Sequence, residues 1–149
     1  MKNSIIILLL IFLISCSNSE NKAMEMTTLS VLKQLSPDTD FSKNLFVLII
    51  PFDGCSSCFN DAISLIPELE KKQNLIIMPN INKKVITNTL ENFNIERSSI
   101  LMDTLQLTLI EKLVQSDPKI FFINRHKISY SSTVNYSTLQ EITEIINRN

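Results

Sequence analysis

Residues 45–60 read LFVLIIPFDGCSSCFN, and this stretch decides the fold. Leu45 to Pro51 is a continuous apolar, β-prone run. Side chains alternate faces along a strand, so a run that is apolar at every position predicts a strand buried on both faces, as in the centre of a parallel sheet. From Phe59 to Lys72 the apolar residues Phe59, Ile63, Ile66 and Leu69 recur at helical spacing, with Pro67 marking a kink or break. Cys55 and Cys58, separated by Ser56 and Ser57, are therefore expected at a strand-to-helix junction.

The flanking segments extend the pattern. Upstream, Met26, Leu29, Leu32 and Leu35 give residues 24–35 a helical period that stops at Ser36-Pro37-Asp38. Downstream, Leu75 to Met78 reads as a second buried strand, and residues 83–94 read as a helix through Val85, Ile86, Leu90 and Phe93. Ile100 to Asp103 is a short extended segment, and Leu105 to Val114 reads as another helix. Asp117-Pro118 leads into the strand Lys119–Asn124, where Phe121 and Phe122 point to opposite faces and into the core. Arg125-His126-Lys127 is a polar turn, which places His126, the only histidine, at an exposed corner; Ile128 to Thr133 returns as the partner strand. Leu139, Ile142, Ile145 and Ile146 mark an amphipathic closing helix over 137–147. The order α-β-α-β-α-α-β-β-α predicts an α/β fold of three layers with a mixed central sheet.

Composition narrows the function. At 149 residues one domain is expected, and 44% hydrophobic against 19% charged residues fits a globular chain. Fourteen Lys and Arg against 15 Asp and Glu leave a net charge of -1, so no basic face recommends nucleic acid as a partner. Gly54 is the single glycine, which excludes glycine-rich phosphate loops and dinucleotide fingerprints.

The first 16 residues, MKNSIIILLLIFLISC, combine basic Lys2 with an apolar run, Ile5 to Ile14, too short to span a bilayer at ~20 residues. Leu13-Ile14-Ser15-Cys16 resembles a bacterial lipobox. The resemblance implies a signal peptide over 1–15, lipidation of Cys16, a polar tether over 16–23 and a folded domain over 24–149. Ser17, with no aspartate following Cys16, favours the outer membrane, with the domain facing the periplasm.

Lipidation of Cys16 would account for an odd count of three cysteines and leave Cys55 and Cys58 as a pair. A disulfide across two residues closes too small a ring to be a useful staple, which favours redox or metal chemistry.

With its buried strand, GCSSC motif, following helix and proline ahead of a late hairpin, the chain over residues 40–149 resembles the thioredoxin superfamily. The resemblance is closest to the TlpA-like redoxins, envelope thiol–disulfide oxidoreductases. It implies a thioredoxin-like α/β/α sandwich, with Cys55 as nucleophile at a helix N-terminus and Cys58 as the resolving thiol. It also implies a substrate-binding role for Gly54, Asp117 and Pro118, with Pro118 in the cis form. The implied partners are thiols and disulfides of exported proteins and an envelope redox partner; no cofactor or metal is implied. The chain departs from the family's pattern in having Gly54 before the first cysteine, Ser56-Ser57 inside the motif, Asp117 before the proline, and Ile49 where thioredoxin has a buried acid.

Several roles stay open at this level. Gly54 serves a sharp turn, a close approach of a partner chain, or neither. Ser56 and Ser57 cap the helix or donate to the sulfurs. Asp53 is a proton acceptor, a source of repulsion or a solvated loop acid. Lys71 and Lys72 match a helix C-terminus. Two other functions compete with exchange: binding of a soft metal such as Cu(I) by Cys55 and Cys58, and a non-catalytic interaction lipoprotein.

Overall fold

The computed structural model describes residues 22–80, 82–96 and 100–149, so the expected signal peptide, Cys16 and most of the tether lie outside the described residues. The elements in chain order are α1 over 22–35, β1 (Leu45–Ile49), α2 (Ser56–Ser64), α3 (Ile66–Leu69), β2 (Asn74–Pro79) and α4 (Lys83–Asn92). They continue with β3 (Ile100–Asp103), α5 (Leu107–Ile110), β4 (Lys119–Asn124), β5 (Lys127–Thr133) and α6 (Tyr136–Arg148).

Five strands form one mixed sheet in the order β3-β2-β1-β4-β5. β1 pairs in parallel with β2, and β2 with β3, while β4 runs antiparallel to both β1 and β5. β1 lies at the centre, and all five of its residues are buried, as its unbroken apolar run predicts. Its alternation divides the core in two. Phe46 and Leu48 face Ala62, Leu65, Leu69, Ile86, Leu90, Ile142 and Ile146, the apolar sides of α2, α3, α4 and α6. Leu45, Val47 and Ile49 face Val31 and Leu32 of α1 with Leu113 and Val114. The result is the three-layer α/β/α sandwich anticipated from the sequence. At ~1.5–3 kcal/mol per buried large aliphatic side chain, these two layers supply the main stabilising term. Phe121 and Phe122 divide between the same two cores, and Phe122 stacks on Phe46 with ring centroids 4.7 Å apart.

Three details differ from, or sharpen, the sequence reading. The segment Ile100–Asp103 is a full edge strand, paired from Ile76↔Ile100 to Pro79↔Asp103. The helix expected over Leu105–Val114 shrinks to the four residues of α5. Its start is set by Asp103, whose buried carboxylate accepts hydrogen bonds from the N–H groups of Leu107 and Thr108 at 3.0 and 2.9 Å and from the Thr108 hydroxyl at 2.8 Å. Left-handed backbone at Gln106 (φ 55°) and Lys112 (φ 57°) bounds it on both sides and frees Leu113 and Val114 to enter the core. Pro67 divides α2 from α3: it lies in the first turn of α3, where its missing N–H has no helical partner to lose.

The β4–β5 hairpin closes with Asn124 opposite Lys127 and with both corner residues left-handed, Arg125 at φ 50° and His126 at φ 63°. This is the two-residue turn whose twist suits a hairpin, here built without glycine.

Candidate functional site

Past the end of β1, Ile50 and Pro51 stay buried, and the chain then surfaces through half-buried Phe52 and exposed Asp53 and Gly54. Cys55 is extended, at φ -62° and ψ 115°, and is the N-cap of α2. The helix start has four N–H groups without intrahelical partners. One of them, that of Cys58, donates to the Cys55 sulfur at 3.3 Å. The sulfur thus occupies the place usually taken by a Ser or Asp oxygen. Ser56 and Ser57 lie inside the helix and leave the cap to the cysteine.

Cys55 and Cys58 are joined as a disulfide, with Cα atoms 5.2 Å apart. Cys55 is exposed and Cys58 half-buried. The Ser57 hydroxyl lies 3.0 Å from the Cys55 sulfur. The outer sulfur is therefore the one an incoming thiolate reaches, and it sits at the positive end of the helix.

Gly54 is explained by a contact that the sequence reading left open. Its φ is not positive, so a left-handed turn is not the reason for glycine. A Cβ built at this position collides with the backbone carbonyl oxygen of Ser116 and lies 2.7 Å from the carbonyl carbon. The loop ahead of Cys55 is thus laid directly against the loop ahead of Pro118, and the close-approach role is met inside the chain. Asp117 is exposed and Pro118 buried. The Pro118 carbonyl accepts from Val134 N–H at 2.8 Å, and pairing with β1 begins one residue later at Lys119↔Ile49.

The cis form expected of Pro118 is corrected: every peptide bond among the described residues is trans. Trans is the lower state even before proline, by ~0.5–1 kcal/mol, and it carries Pro118 directly into β4 here. A groove of about 230 Å³ lined by Ser116, Asp117, Lys119 and Thr133, among others, runs beside this loop. A wider concavity of about 670 Å³ between α1 and the β4–β5 hairpin, lined by residues such as Glu25, Thr28 and Phe121, does not include the cysteines.

Gly54, Cys55, Cys58, Ser116 and Pro118 therefore belong to one end of the sheet. His126 does not. Leu45 pairs with Ile123 and Ile49 with Lys119, so the hairpin corner lies at the opposite end of β1 from the cysteines, ~13 Å or more away along the strand. His126 is exposed, and its N–H donates to the Phe41 carbonyl at 3.0 Å. It is not placed to join Cys55 and Cys58 around a metal ion.

The sequence reading missed two features. Ser116 acts through its backbone, which no side-chain pattern reveals. An aromatic series also flanks the motif, with ring centroids 5.7 Å apart for Phe52–Phe59 and 5.9 Å for Phe59–Phe93. Helical spacing singles out Phe59 and Phe93 in two separate segments, so it carries no sign that they meet.

No protein-family model and no curated protein matches the sequence. Solved structures do match. A thioredoxin-like protein from Parabacteroides distasonis is similar with a TM-score of 0.54 and 14% identity, over 73% of this chain and 83% of that one. A secreted disulfide oxidoreductase of Mycobacterium tuberculosis gives 0.54 and 16%, over 72% and 83%. StoA from Bacillus subtilis gives 0.51 and 13%, over 69% and 81%. At these identities the likeness is one of fold: the chain has the thioredoxin-like fold.

Proposed function

We propose that this protein is a thiol–disulfide oxidoreductase, anchored by lipid on Cys16 in a bacterial envelope, that exchanges disulfides with exported proteins. The observation that carries the exchange chemistry is the Cys55–Cys58 pair: an exposed sulfur that caps a helix, bonded to a half-buried one, beside the Gly54–Ser116 contact. In the reducing direction the Cys55 thiolate attacks a substrate disulfide. One substrate thiolate leaves, and a mixed disulfide forms. Cys58, losing its proton, attacks the Cys55 sulfur, releases the second substrate thiolate and closes the internal disulfide. Two electrons pass to the substrate, and an envelope dithiol returns them to the pair. Exposed Gly54 and Asp117, with buried Pro118 behind them, are the residues against which the partner chain would lie.

The anchor and the outer-membrane location facing the periplasm rest on the lipobox-like sequence and on Ser17. The similar secreted disulfide oxidoreductase is consistent with an exported enzyme. The test is a redox titration of the full chain in detergent, equilibrated in graded glutathione buffers, with modified cysteines counted by mass. A reversible two-electron transition of Cys55 and Cys58, within about -120 to -270 mV, is expected; it should vanish in Cys55→Ser. A pair that stays locked across the series refutes exchange. Fatty-acid labelling that persists in Cys16→Ser refutes the anchor.

A further inference from the structure

We propose that the Ser57 hydroxyl is a positioning group for the nucleophile: it donates a hydrogen bond to the Cys55 sulfur and holds the reduced protein toward thiolate there. The catalytic meaning of this bond rests on the oxidoreductase reading, which it deepens by naming what activates the attacking sulfur.

Ser57 Oγ and Cys55 Sγ are 3.0 Å apart. In the disulfide the sulfur carries no hydrogen, so the hydroxyl is the donor. The Cys58 N–H is a second donor to the same atom at 3.3 Å. Both converge on the exposed sulfur. Ser56, the other residue inside the motif, makes no such contact among the described residues. Hydrogen bonds to the ionised form of a group favour that form, so two donors aimed at Cys55 favour its thiolate.

The surrounding charges raise the importance of these neutral donors. α2 carries no Lys or Arg, and its acid is Asp61. The motif loop contributes Asp53, and the loop against it contributes Asp117, both exposed. All three carboxylates oppose a negative sulfur. Among the described residues, the cations of the neighbouring elements are Lys83 and Lys84, exposed at the start of α4, Lys112 in the loop ahead of Pro118, Lys119, which lies over the Phe121 ring at 5.1 Å, and Arg148 of α6, which pairs with Glu144 at 3.0 Å. No cation belongs to the motif loop or the first turn of α2; the loop ahead of Pro118 carries one, Lys112, four residues before Ser116. Within the motif itself, thiolate stabilisation at Cys55 falls to the helix N-terminus and the Ser57 hydroxyl.

The test is the pH dependence of Cys55 alkylation in the reduced full chain, read by fragment-ion mass spectrometry that localises the label to Cys55 or Cys58 within the one peptide that carries both. Ser57→Ala should move the midpoint up by about one pH unit, a loss of about tenfold in thiolate at a pH below the midpoint. Ser57→Thr keeps the hydroxyl and should stay within about twofold of the parent, as should Ser56→Ala. The proposal is overturned if the Ser57→Ala profile superimposes on the parent's, if Ser56→Ala moves it as far, or if Ser57→Thr behaves as Ser57→Ala. Glutathione exchange of the parent, measured on the same preparation, tests the oxidoreductase reading separately. A parent that does not exchange refutes that reading, while the alkylation profiles still decide the hydrogen bond.

Discussion

Replacing Gly54 by alanine tests the contact that joins the two loops of the site. Backbone torsion alone predicts a gain: φ at Gly54 is not positive, and alanine at a compatible position stabilises by ~0.4–1 kcal/mol through the unfolded chain. The structure reverses that sign. The new methyl group would overlap the Ser116 carbonyl oxygen, lying 2.7 Å from the carbonyl carbon and 3.4 Å from its Cα. These are backbone atoms, so no rotamer change relieves the overlap; the loops must part. Overpacking of this kind costs ~1–3 kcal/mol. Set against the alanine gain, the net loss is about 1–2 kcal/mol. At about 4 °C per kcal/mol for a domain of this size, thermal unfolding by circular dichroism should fall by about 4–8 °C. Ser116→Ala added to Gly54→Ala should not restore it, because the obstructing atom belongs to the main chain. A Gly54→Ala protein that melts at or above the parent temperature refutes the argument.

Three further outcomes follow from particular contacts. Asp103→Ala strands the N–H groups of Leu107 and Thr108 and the Thr108 hydroxyl, and should cost about 3 kcal/mol or more in urea unfolding, whereas Asp103→Asn should cost less. Arg125→Asn combined with His126→Gly suits the left-handed hairpin corner and should raise stability by about 1 kcal/mol; an unchanged urea midpoint would count against strain at that corner. The Asp40 carboxylate accepts from the hydroxyl and N–H of Ser42, which hold it below the usual carboxylate range, so its contribution to stability is present above that range and fades as pH falls through the lowered value. Ser42→Ala should move the Asp40 titration, followed by NMR, back upward.

The sheet and the cysteine pair were legible because their signals are local. Five consecutive apolar residues specify β1, and the switch from a buried run to helical spacing around Cys55-Ser-Ser-Cys58 places the pair at a helix start. The helix expected over Leu105–Val114 failed for a reason that spacing cannot report. Leu105 and Ile110 are apolar yet exposed, at 68% and 64%, while a buried carboxylate two residues earlier dictates where the turn begins. β3 is short, and its edge pairing depends on β2, more than 20 residues away. The Gly54–Ser116 contact spans 62 positions and involves a carbonyl, so it leaves no residue-type signature. The hairpin corner is similar: Arg125 and His126 read as polar turn residues, but their left-handed backbone is imposed by the strands they connect.

The left-handed corners bear on how such a sequence tolerates compositional drift. Asn94, Gln106, Lys112, Arg125 and His126 all hold positive φ, each a position where glycine would be at ease, yet the one glycine stands where φ is ordinary. Side chains in left-handed backbone cost ~1–2 kcal/mol each, a load that the rest of a domain can offset. A methyl group driven into a neighbouring carbonyl has no such graded remedy. In a lineage whose mutational bias removes glycine codons, torsional need would then be the weaker barrier to loss and steric need the stronger. The surviving glycine marks where two stretches of backbone touch, and in this chain that place adjoins the cysteine pair.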